Sequence, residues 1–306
     1  MSFSLPGRDG GGPQSIYQGS GPDKAYAAFD PARRAANHSS MPPTSPPVNA
    51  TLREGQYRDG SNLAARFRLH QRFSTSRYPL HRWVFDRFTF PEGGRVLELG
   101  CGFGALWKTN RDRIPPHWNV VLSDFSFGML LDARTDLKSV GTFRFQQIDA
   151  IAIPYRDAAL DGVIANHMLY HVTDLEGVLR EIRRALKPSG VLYASTIGPS
   201  HLRELDVIAE PFIGVAPLSR VHQRFGLANG AAALRKVFSD VGCETVRGEL
   251  RITEVEPVLD YFRSMNSTRL ASPDTLSAIR ARIEREIAGA GALRVSTESG
   301  LFIARP

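Results

Sequence analysis

The chain has 306 residues, of which 42% are hydrophobic and 23% are charged, values typical of a globular protein that argue against wholesale disorder. It contains no apolar run near the roughly 18 residues that a membrane-spanning helix needs. It also begins without the basic and apolar segments of a secretion signal. The two cysteines, Cys101 and Cys243, are too few for a disulfide framework or a cysteine-rich zinc site, so we expect a cytoplasmic protein.

The formal net charge is +7, and much of the basic charge falls in one stretch. Six arginines interleaved with aromatic residues lie there: Arg66, Arg68, Arg72, Arg77, Arg82 and Arg87. Such a pattern could bind phosphates and bases. Apolar residues also recur at helical spacing, at Leu63, Phe67 and Leu69, which favours a pair of amphipathic helices with a solvated arginine face.

The first segment, residues 1–55, is rich in Gly, Pro, Ser and Ala. The runs at 10–13 and 42–47 cannot continue a helix or a central strand, so we expect a mobile extension. Tyr17, Tyr26 and Phe29 leave open the alternative that part of it folds over the rest. Over residues 56–92 we expect a helical lid, broken near Ser74 and ended by Pro91.

Short apolar segments then alternate with segments of helical pattern, which predicts an α/β fold with a mostly parallel sheet covered by helices on both faces. We expect seven strands, at 95–99, 119–123, 142–148, 162–166, 190–196, 245–252 and 295–304. We expect helices at 105–113, 126–134, 175–186, 230–240, 255–265 and 275–287.

The strongest motif runs from Glu98 through Gly100, Cys101 and Gly102 to Gly104, between a predicted strand and a predicted helix. Its glycines permit a sharp turn and a close approach of the backbone to a ligand. Asp124 ends the next strand, where a carboxylate can accept hydrogen bonds from both hydroxyls of a ribose. The alternative role for Asp124 is to cap the helix that starts near Ser126.

These residues resemble the class I S-adenosylmethionine-dependent methyltransferase family. Glu98-Leu-Gly-Cys-Gly is similar to its first motif, and Asp124 matches the acidic residue after its second strand. Further resemblances follow in order at Asp149-Ala150, at 160–166 and at 186–192. The resemblance covers about residues 80–305 and is greatest to the small-molecule branch that includes quinone and sterol methyltransferases. It implies a Rossmann-like methyltransferase domain over 93–306, with helical insertions on the substrate side at about 197–240 and 253–290.

The resemblance also implies a cofactor, S-adenosylmethionine, and a role for each matching residue. Gly100, Gly102 and Gly104 would line its methionine part, Glu98 would reach its amino group and Asp124 would hold the ribose. Near the adenine it implies Phe125, Met129, Asp149 and Ala150. Asn166 and His167 would border the sulfonium. In the lid, Arg66 could pair with the cofactor carboxylate, or be an exposed helix charge.

His167 is the candidate general base, because histidine titrates near pH 6.5, and Tyr170 could orient the acceptor or the imidazole. The alternative is that His167 only shapes the pocket and that positioning supplies the rate. His167 and His171 have the i, i+4 spacing of a metal-binding pair, but no nearby Asp, Glu or Cys completes a set, so we predict no metal site.

The sequence therefore predicts methyl transfer to a carbon, oxygen or nitrogen atom of a small-molecule acceptor in specialised metabolism, with an anionic or isoprenoid acceptor suggested by the arginine-rich stretch. A nicotinamide-dependent oxidoreductase fits poorly, because its glycines are spaced G-x-G-x-x-G. A nucleic-acid methyltransferase and a non-catalytic cofactor-binding protein stay open. The sequence shows no recognisable RNA-binding module and does not determine the oligomeric state, so a homo-oligomer also stays open.

Overall fold

A computed structural model describes residues 60–213, 219–265 and 273–306. The expected extension over 1–55 and the start of the expected lid, residues 56–59, lie outside the described residues. The lid region forms two helices, α1 (Ser61–Phe73) and α2 (Leu80–Phe85). Helix α1 ends at Phe73 and Pro79 immediately precedes α2, so the break between the two helices begins at Ser74, as the sequence predicts. No helix of the described segments is long and apolar enough to cross a membrane.

Seven strands form one sheet within the described residues. They are β1 (Arg95–Leu99), β2 (Asn119–Asp124), β3 (Arg144–Gln147), β4 (Leu160–Asn166), β5 (Leu186–Ile197), β6 (Asp240–Ile252) and β7 (Leu293–Arg305). Their order is β3-β2-β1-β4-β5-β7-β6. The first five are parallel, whereas β7 is antiparallel to both β5 and β6. The prediction of a seven-stranded, mostly parallel sheet is confirmed.

Helices connect the strands. They are α3 (Ala105–Thr109), α4 (Phe127–Leu137), α5 (Leu175–Ala185), α6 (Arg203–Ile213), α7 (Ser219–Arg224), α8 (Gly230–Arg235), α9 (Glu256–Arg263) and α10 (Pro273–Ala290). A 3-10 helix, Leu169–His171, follows β4.

Two helices, α3 and α8, are four and five residues shorter at their ends than the sequence predicts. Helix α3 ends at Thr109 because the buried Asn110 amide donates to the carbonyls of Leu106 and His81, which fixes the chain in a turn. Helix α8 ends at Arg235 because the chain enters the sheet early: Asp240 already pairs with Arg305, five residues before the predicted start of that strand.

Alternate residues of the central strands enter cores on opposite faces of the sheet, as the two-residue period of a strand requires. Leu97, Val163 and Leu192 pack with α5 and α8 on one face. Val96, Ile164 and Tyr193 pack with α2, α3 and α4 on the other. A third core joins α1, α6, α9 and α10 to the end of β6 and the start of β7, which pair antiparallel. Helices α6, α9 and α10 thus share a core with α1 at the end of the sheet.

The strand order reverses between β1 and β4, which lie side by side in the sheet. From β1 the chain continues outward to β2 and β3, whereas from β4 it continues in the other direction to β5, β6 and β7. Ligands of open α/β sheets bind in the crevice that such a reversal opens at the carboxyl ends of the strands. The fold therefore directs attention to the loops after Leu99, Asp124 and Asn166.

Candidate active site

A cavity of about 1110 Å³ lies at this edge of the sheet. It exceeds the roughly 300–1,000 Å³ of a usual small-molecule site, so it has room for two ligands side by side. The structure brings together nearly all the residues that the sequence singled out: Arg66, Glu98, Gly100, Cys101, Gly102, Asp124, Phe125, Met129, Asp149, Ala150, Asn166, His167 and Tyr170. Gly104 is the exception. It stands outside the lining and approaches the Leu137 side chain, where a Cβ would lie 2.5 Å from Leu137 Cδ1.

The loop after β1 depends on its glycines. Gly100 and Gly102 have φ angles of 68° and 55°, a region that residues with a Cβ avoid. A Cβ on Gly100 would lie 2.9 Å from the Cβ of Met168, and one on Gly102 would lie 2.7 Å from Leu63 Cδ2. The loop therefore needs glycine both for its backbone conformation and for the side chains that cover it.

Asp124 is held by two backbone N–H groups. Gly102 N donates to its Oδ2 at 3.0 Å, and Ser126 N donates to its Oδ1 at 2.8 Å. Ser126 itself caps α4, accepting from Met129 N, so Asp124 is not the helix cap. Burial raises the pKa of Asp124 despite these donors. The carboxylate thus joins the loop after β1 to the tip of β2 and faces the cavity.

Glu98 is a buried acid inside β1. Trp107 Nε1 donates to its Oε2 at 2.6 Å, and Asn166 Nδ2 approaches its Oε1 at 3.4 Å. Burial, which these donors oppose, raises the pKa of Glu98 to about 7. Asn166 Oδ1 is also buried and accepts no hydrogen bond within the described chain. A cationic donor entering here would satisfy both groups.

The predicted adenine side consists of Phe125, Met129, Asp149 and Ala150. Met129 and Ala150 are buried, and Ile148 extends this apolar wall. Asp149 Oδ1 accepts from Ile151 N at 3.2 Å, which orients the carboxylate at the end of the loop after β3. An apolar slot beside a fixed carboxylate suits a flat ring that carries an N–H donor.

His167 has an unusual backbone for a residue with a Cβ. Its φ is 50°, and its N–H donates to the carbonyl and to Oγ of Ser195, at 3.1 and 3.2 Å. Such outliers cluster at functional sites. Desolvation in the cavity wall lowers the pKa of His167 to about 3, so the imidazole is neutral at physiological pH. The Tyr170 ring lies 6.4 Å from it, centroid to centroid.

Three further histidines line the cavity, which the sequence reasoning did not assign to it: His70, His81 and His201. With His167 and His171 they make five of the eight histidines of the chain. Desolvation lowers the pKa of each. His70 and His201 stack at 5.4 Å, and Glu298 N donates to His201 Nδ1, so the neutral His201 carries its proton on Nε2. The i, i+4 spacing of Arg66 and His70 places both on one face of α1, and this was the only sequence pattern that could have indicated that His70 faces the cavity.

Three of the six arginines in the arginine-rich stretch pair with carboxylates. Arg72 pairs with Glu254 at 2.5 Å, Arg82 with Asp112 at 2.9 Å, and Arg87 with Glu244 at 2.8 Å. Arg66 lines the cavity, and its guanidinium donates to Oγ and the carbonyl of Ser264. These contacts favour a solvated amphipathic helix pair over a continuous phosphate-binding patch. Within the described segments, no cluster of three His, Cys, Asp or Glu side chains could hold a metal ion.

Comparison with known proteins agrees with this geometry. Residues 97–194 match the methyltransferase domain family. The chain is 34% identical over 123 residues to the ubiquinone/menaquinone biosynthesis C-methyltransferase UbiE of Pasteurella multocida, covering 38% of this chain and 46% of that protein. It is 31% identical over 186 residues to the malonyl-[acyl-carrier protein] O-methyltransferase of Erwinia pyrifoliae, covering 61% and 59%. The match thus spans about half the length of these curated relatives.

A solved structure has the same fold. It is the Haemonchus contortus phosphoethanolamine N-methyltransferase 2 in complex with S-adenosyl-L-methionine, with a TM-score of 0.50 and 18% identity over 87% of this chain and 61% of that one. The matched motifs, the sheet order and the glycine loop lead to one assignment. Residues 97–194 of this chain match the methyltransferase domain of the class I S-adenosylmethionine-dependent family.

Proposed function

We propose that this protein transfers the methyl group of S-adenosylmethionine to a small-molecule acceptor. The observation that carries the proposal is that one cavity is lined by two kinds of residue. The first are the carboxylates at the tips of β1, β2 and β3, which we call the cradle: Glu98, Asp124 and Asp149. The second are residues outside the motifs that resemble a cofactor site, such as His201 and Tyr261. The cofactor supplies an electrophilic methyl group on a sulfonium cation. The protein must hold this group in line with a nucleophile, and positioning alone can supply much of the rate.

The residues of the cradle fit such a cofactor. Three carboxylates, Glu98, Asp124 and Asp149, line this part of the cavity and would accept hydrogen bonds from the amino group, the ribose and the exocyclic amine. Asn166 Oδ1, a buried acceptor without a partner in the described chain, suits a ligand that brings donors or positive charge. Gly100 and Gly102 would let the backbone approach the methionine part. Phe125, Met129 and Ala150 would enclose the adenine.

His167 would act at the acceptor. A neutral imidazole has a free nitrogen that can take the proton an oxygen, nitrogen or activated-carbon acceptor loses. Tyr170 would orient the acceptor or the imidazole. Because His167 is anchored through its backbone to Ser195, its ring position is set by the end of β4 and not by a mobile loop.

We infer the class of acceptor from the names of the relatives and from the residues that line the cavity. The relatives are named as a C-methyltransferase and an O-methyltransferase of biosynthetic small molecules or carrier-bound acyl groups. We extend this to a small-molecule acceptor of specialised metabolism, methylated on carbon, oxygen or nitrogen. A nucleic-acid substrate has less support, because Arg72, Arg82 and Arg87 bind carboxylates. A cytoplasmic location belongs to the same proposal, supported by two free thiols.

The test is methyl transfer from radiolabelled S-adenosylmethionine to a panel of quinols, phenols, carboxylic acids and amines, with calorimetry of S-adenosylhomocysteine binding beside it. We expect micromolar binding of the product and transfer to at least one small molecule. Binding without transfer to any acceptor would favour a non-catalytic cofactor-binding protein. Absence of binding would contradict the proposal altogether.

A further inference from the structure

Part of the cavity lining lies outside the strand tips and the glycine loop, and we call this part the far compartment. It is lined by residues of α1, the 3-10 helix, α7, α9 and the loop after β5: Arg66, His171, His201, Arg224, Tyr261 and Met265. None of these except Arg66 belongs to a motif that resembles the cofactor site. The chemistry of this compartment therefore concerns the acceptor.

Arg224 differs from most arginines near the cavity. It ends α7, which packs against the 3-10 helix, and its exposed side chain reaches the cavity wall. Arg72, Arg82 and Arg87 each pair with a carboxylate, and Arg247, on the lining of the cavity, pairs with Glu298 at 2.9 Å. Arg224 forms no hydrogen bond or ion pair with any residue in the described part of the chain. A guanidinium in this state has its full set of donors available to a ligand.

A second cation, Arg66, also lines the cavity. Arg66 is fixed by its bonds to Ser264, at 2.9 Å from Nε and 2.7 Å from Nη2. After desolvation, the charges of Arg66 and Arg224 are the largest influences that lower the pKa of His171, so both act on the same point of the cavity wall.

Charge is thus segregated within the cavity. The carboxylates Glu98, Asp124 and Asp149 lie at the strand tips that form the cradle. The fourth acidic residue of the lining, Asp174, is engaged at the start of α5, where it accepts from Gly177 N at 2.8 Å. The far compartment combines two arginines with neutral imidazoles and apolar side chains. A cationic cofactor and an anionic acceptor would each meet complementary charge.

We propose that Arg224, supported by the charge of Arg66, binds an anionic group of the acceptor, a carboxylate or a phosphate monoester. This inference rests on the proposed methyl transfer. Arginine presents a planar fork that matches the paired oxygens of both anions. The anion is an anchor and not the methylated atom, because donors bound to its oxygens withdraw the electron density that attack on the methyl would need.

The test is calorimetry on the protein saturated with S-adenosylhomocysteine, with matched probes that differ in charge. The probes are 4-hydroxybenzoate against 4-hydroxybenzamide, and phenyl phosphate against phenol. We expect each anion to bind at least tenfold more tightly than its neutral partner. Arg224→Gln should abolish this preference. The preferred pair, carboxylate or phosphate, identifies the anion that the site takes.

Arg235→Gln is the matched control, because Arg235 is also an exposed arginine at the end of a short helix, α8, but lies outside the cavity lining. It should keep the full preference for anions. Equal binding of charged and neutral probes by the wild type, a preference that survives in Arg224→Gln, or anion binding weaker than about 1 mM would overturn the inference. Unchanged affinity for S-adenosylhomocysteine in each variant shows that the fold and the cofactor site are intact, and the radiolabel transfer assay tests the proposed function separately, so the two failures are distinguishable.

Discussion

At the scale of single residues, Glu98 shows how burial prepares an acid for a cation. The same carboxylate would be ionised on the surface, but inside β1 its pKa rises to about 7, with Trp107 and Asn166 as donors. In the proposed pairing with the amino group of the cofactor, the carboxylate would have to be ionised. Binding below pH 7 therefore has to release this proton, which costs affinity.

The affinity for S-adenosylhomocysteine should accordingly depend on pH. We expect the dissociation constant to fall up to about tenfold per pH unit between pH 5.5 and 7 and to level off above pH 7. In Glu98→Gln the dependence over this range should disappear. Calorimetry in buffers of different ionisation enthalpy measures the proton released. A wild-type affinity that is flat from pH 5.5 to 8 would show that Glu98 does not meet the ligand.

The proton on Glu98 also affects the ligand-free protein. Its folded pKa lies above the ordinary value of 4.5, so the folded state holds a proton that the unfolded chain has lost. Stability from this group is therefore present at low pH and declines as pH rises from 4.5 through 7. Thermal melts of the wild type and Glu98→Gln should diverge over that range, with the variant losing less stability at the higher pH. Parallel pH dependences in the two proteins would contradict the raised pKa.

Asp124 tests the nucleoside half of the cradle. Asp124→Ala removes a buried carboxylate that already orders Gly102 and Ser126, so we expect the affinity for S-adenosylhomocysteine to fall by about 1.5–3 kcal/mol, roughly 10- to 150-fold. Asp161→Ala is the control, because Asp161 bonds Arg95 N and Lys187 at the opposite end of the strands. Calorimetry that gives the same affinity for Asp124→Ala and the wild type would remove the ribose assignment.

His167 tests whether the acceptor needs a base. His167→Asn is the informative variant, because asparagine tolerates a positive φ and so keeps the backbone while it removes the imidazole. As general base, His167 should contribute about 10²-fold or more to kcat, with cofactor affinity unchanged. With a pKa of about 3, it gives no acidic limb near pH 6.5, and a limb near pH 7 would instead belong to Glu98. A kcat within about twofold of the wild type would leave catalysis to positioning.

At the scale of helices and strands, the sequence predicted the boundaries that depend on neighbouring residues and missed those that depend on residues far along the chain. The strand 95–99 and the start of α5 at Leu175 agree with the sequence, because an apolar run before a glycine turn and an Asp174 cap are local signals. The ends of α3 and α8 do not, because Asn110 and Asp240 act through partners far along the chain, His81 and Arg305. His81 and His201 come from separate elements, α2 and the loop after β5, so their burial beside His167 could not be predicted from spacing.

The covering helix α1 packs on α9 and β6 through Leu69 and Phe73, and Arg66 adds a polar contact at its cavity side. Its bonds to Ser264 tie α1 to the end of α9 across the cavity, while Leu63 covers Gly102. We expect Arg66→Ala to raise amide hydrogen exchange in 61–73 by about tenfold, while exchange in β1 and β4 stays unchanged. Arg68→Ala, two residues along on the exposed face of α1, is the control and should leave exchange as it is. Equal exchange in the two variants would show that the apolar contacts of α1 suffice.

At the scale of the whole molecule, the described fold consists of three connected cores. The two cores on the faces of the sheet support the strands that carry the cradle. The third core supports α1 and α9, which contribute residues to the far compartment, and packs them on the paired strands β6 and β7. The cavity therefore lies between parts stabilised by different sets of side chains. Ligands that touch both sides couple these cores, and binding of S-adenosylhomocysteine at 100 times its dissociation constant should stabilise the whole by about 2.7 kcal/mol.

The N-terminal segment is expected to contribute little to these cores. Its glycine and proline content leaves little apolar surface to bury, and the buried hydrophobic residues of the described chain begin at Leu69. A chain shortened to begin at Ala50 should melt in one cooperative transition within about 2 °C of the full chain, which corresponds to less than about 1 kcal/mol. It should also gain the same stabilisation from S-adenosylhomocysteine. A melting temperature lowered by many degrees would mean that Tyr17, Tyr26 or Phe29 packs on the domain. If the loss appeared only with ligand bound, these aromatics would belong to the closed form of the active site, and the segment would have to be counted among its walls.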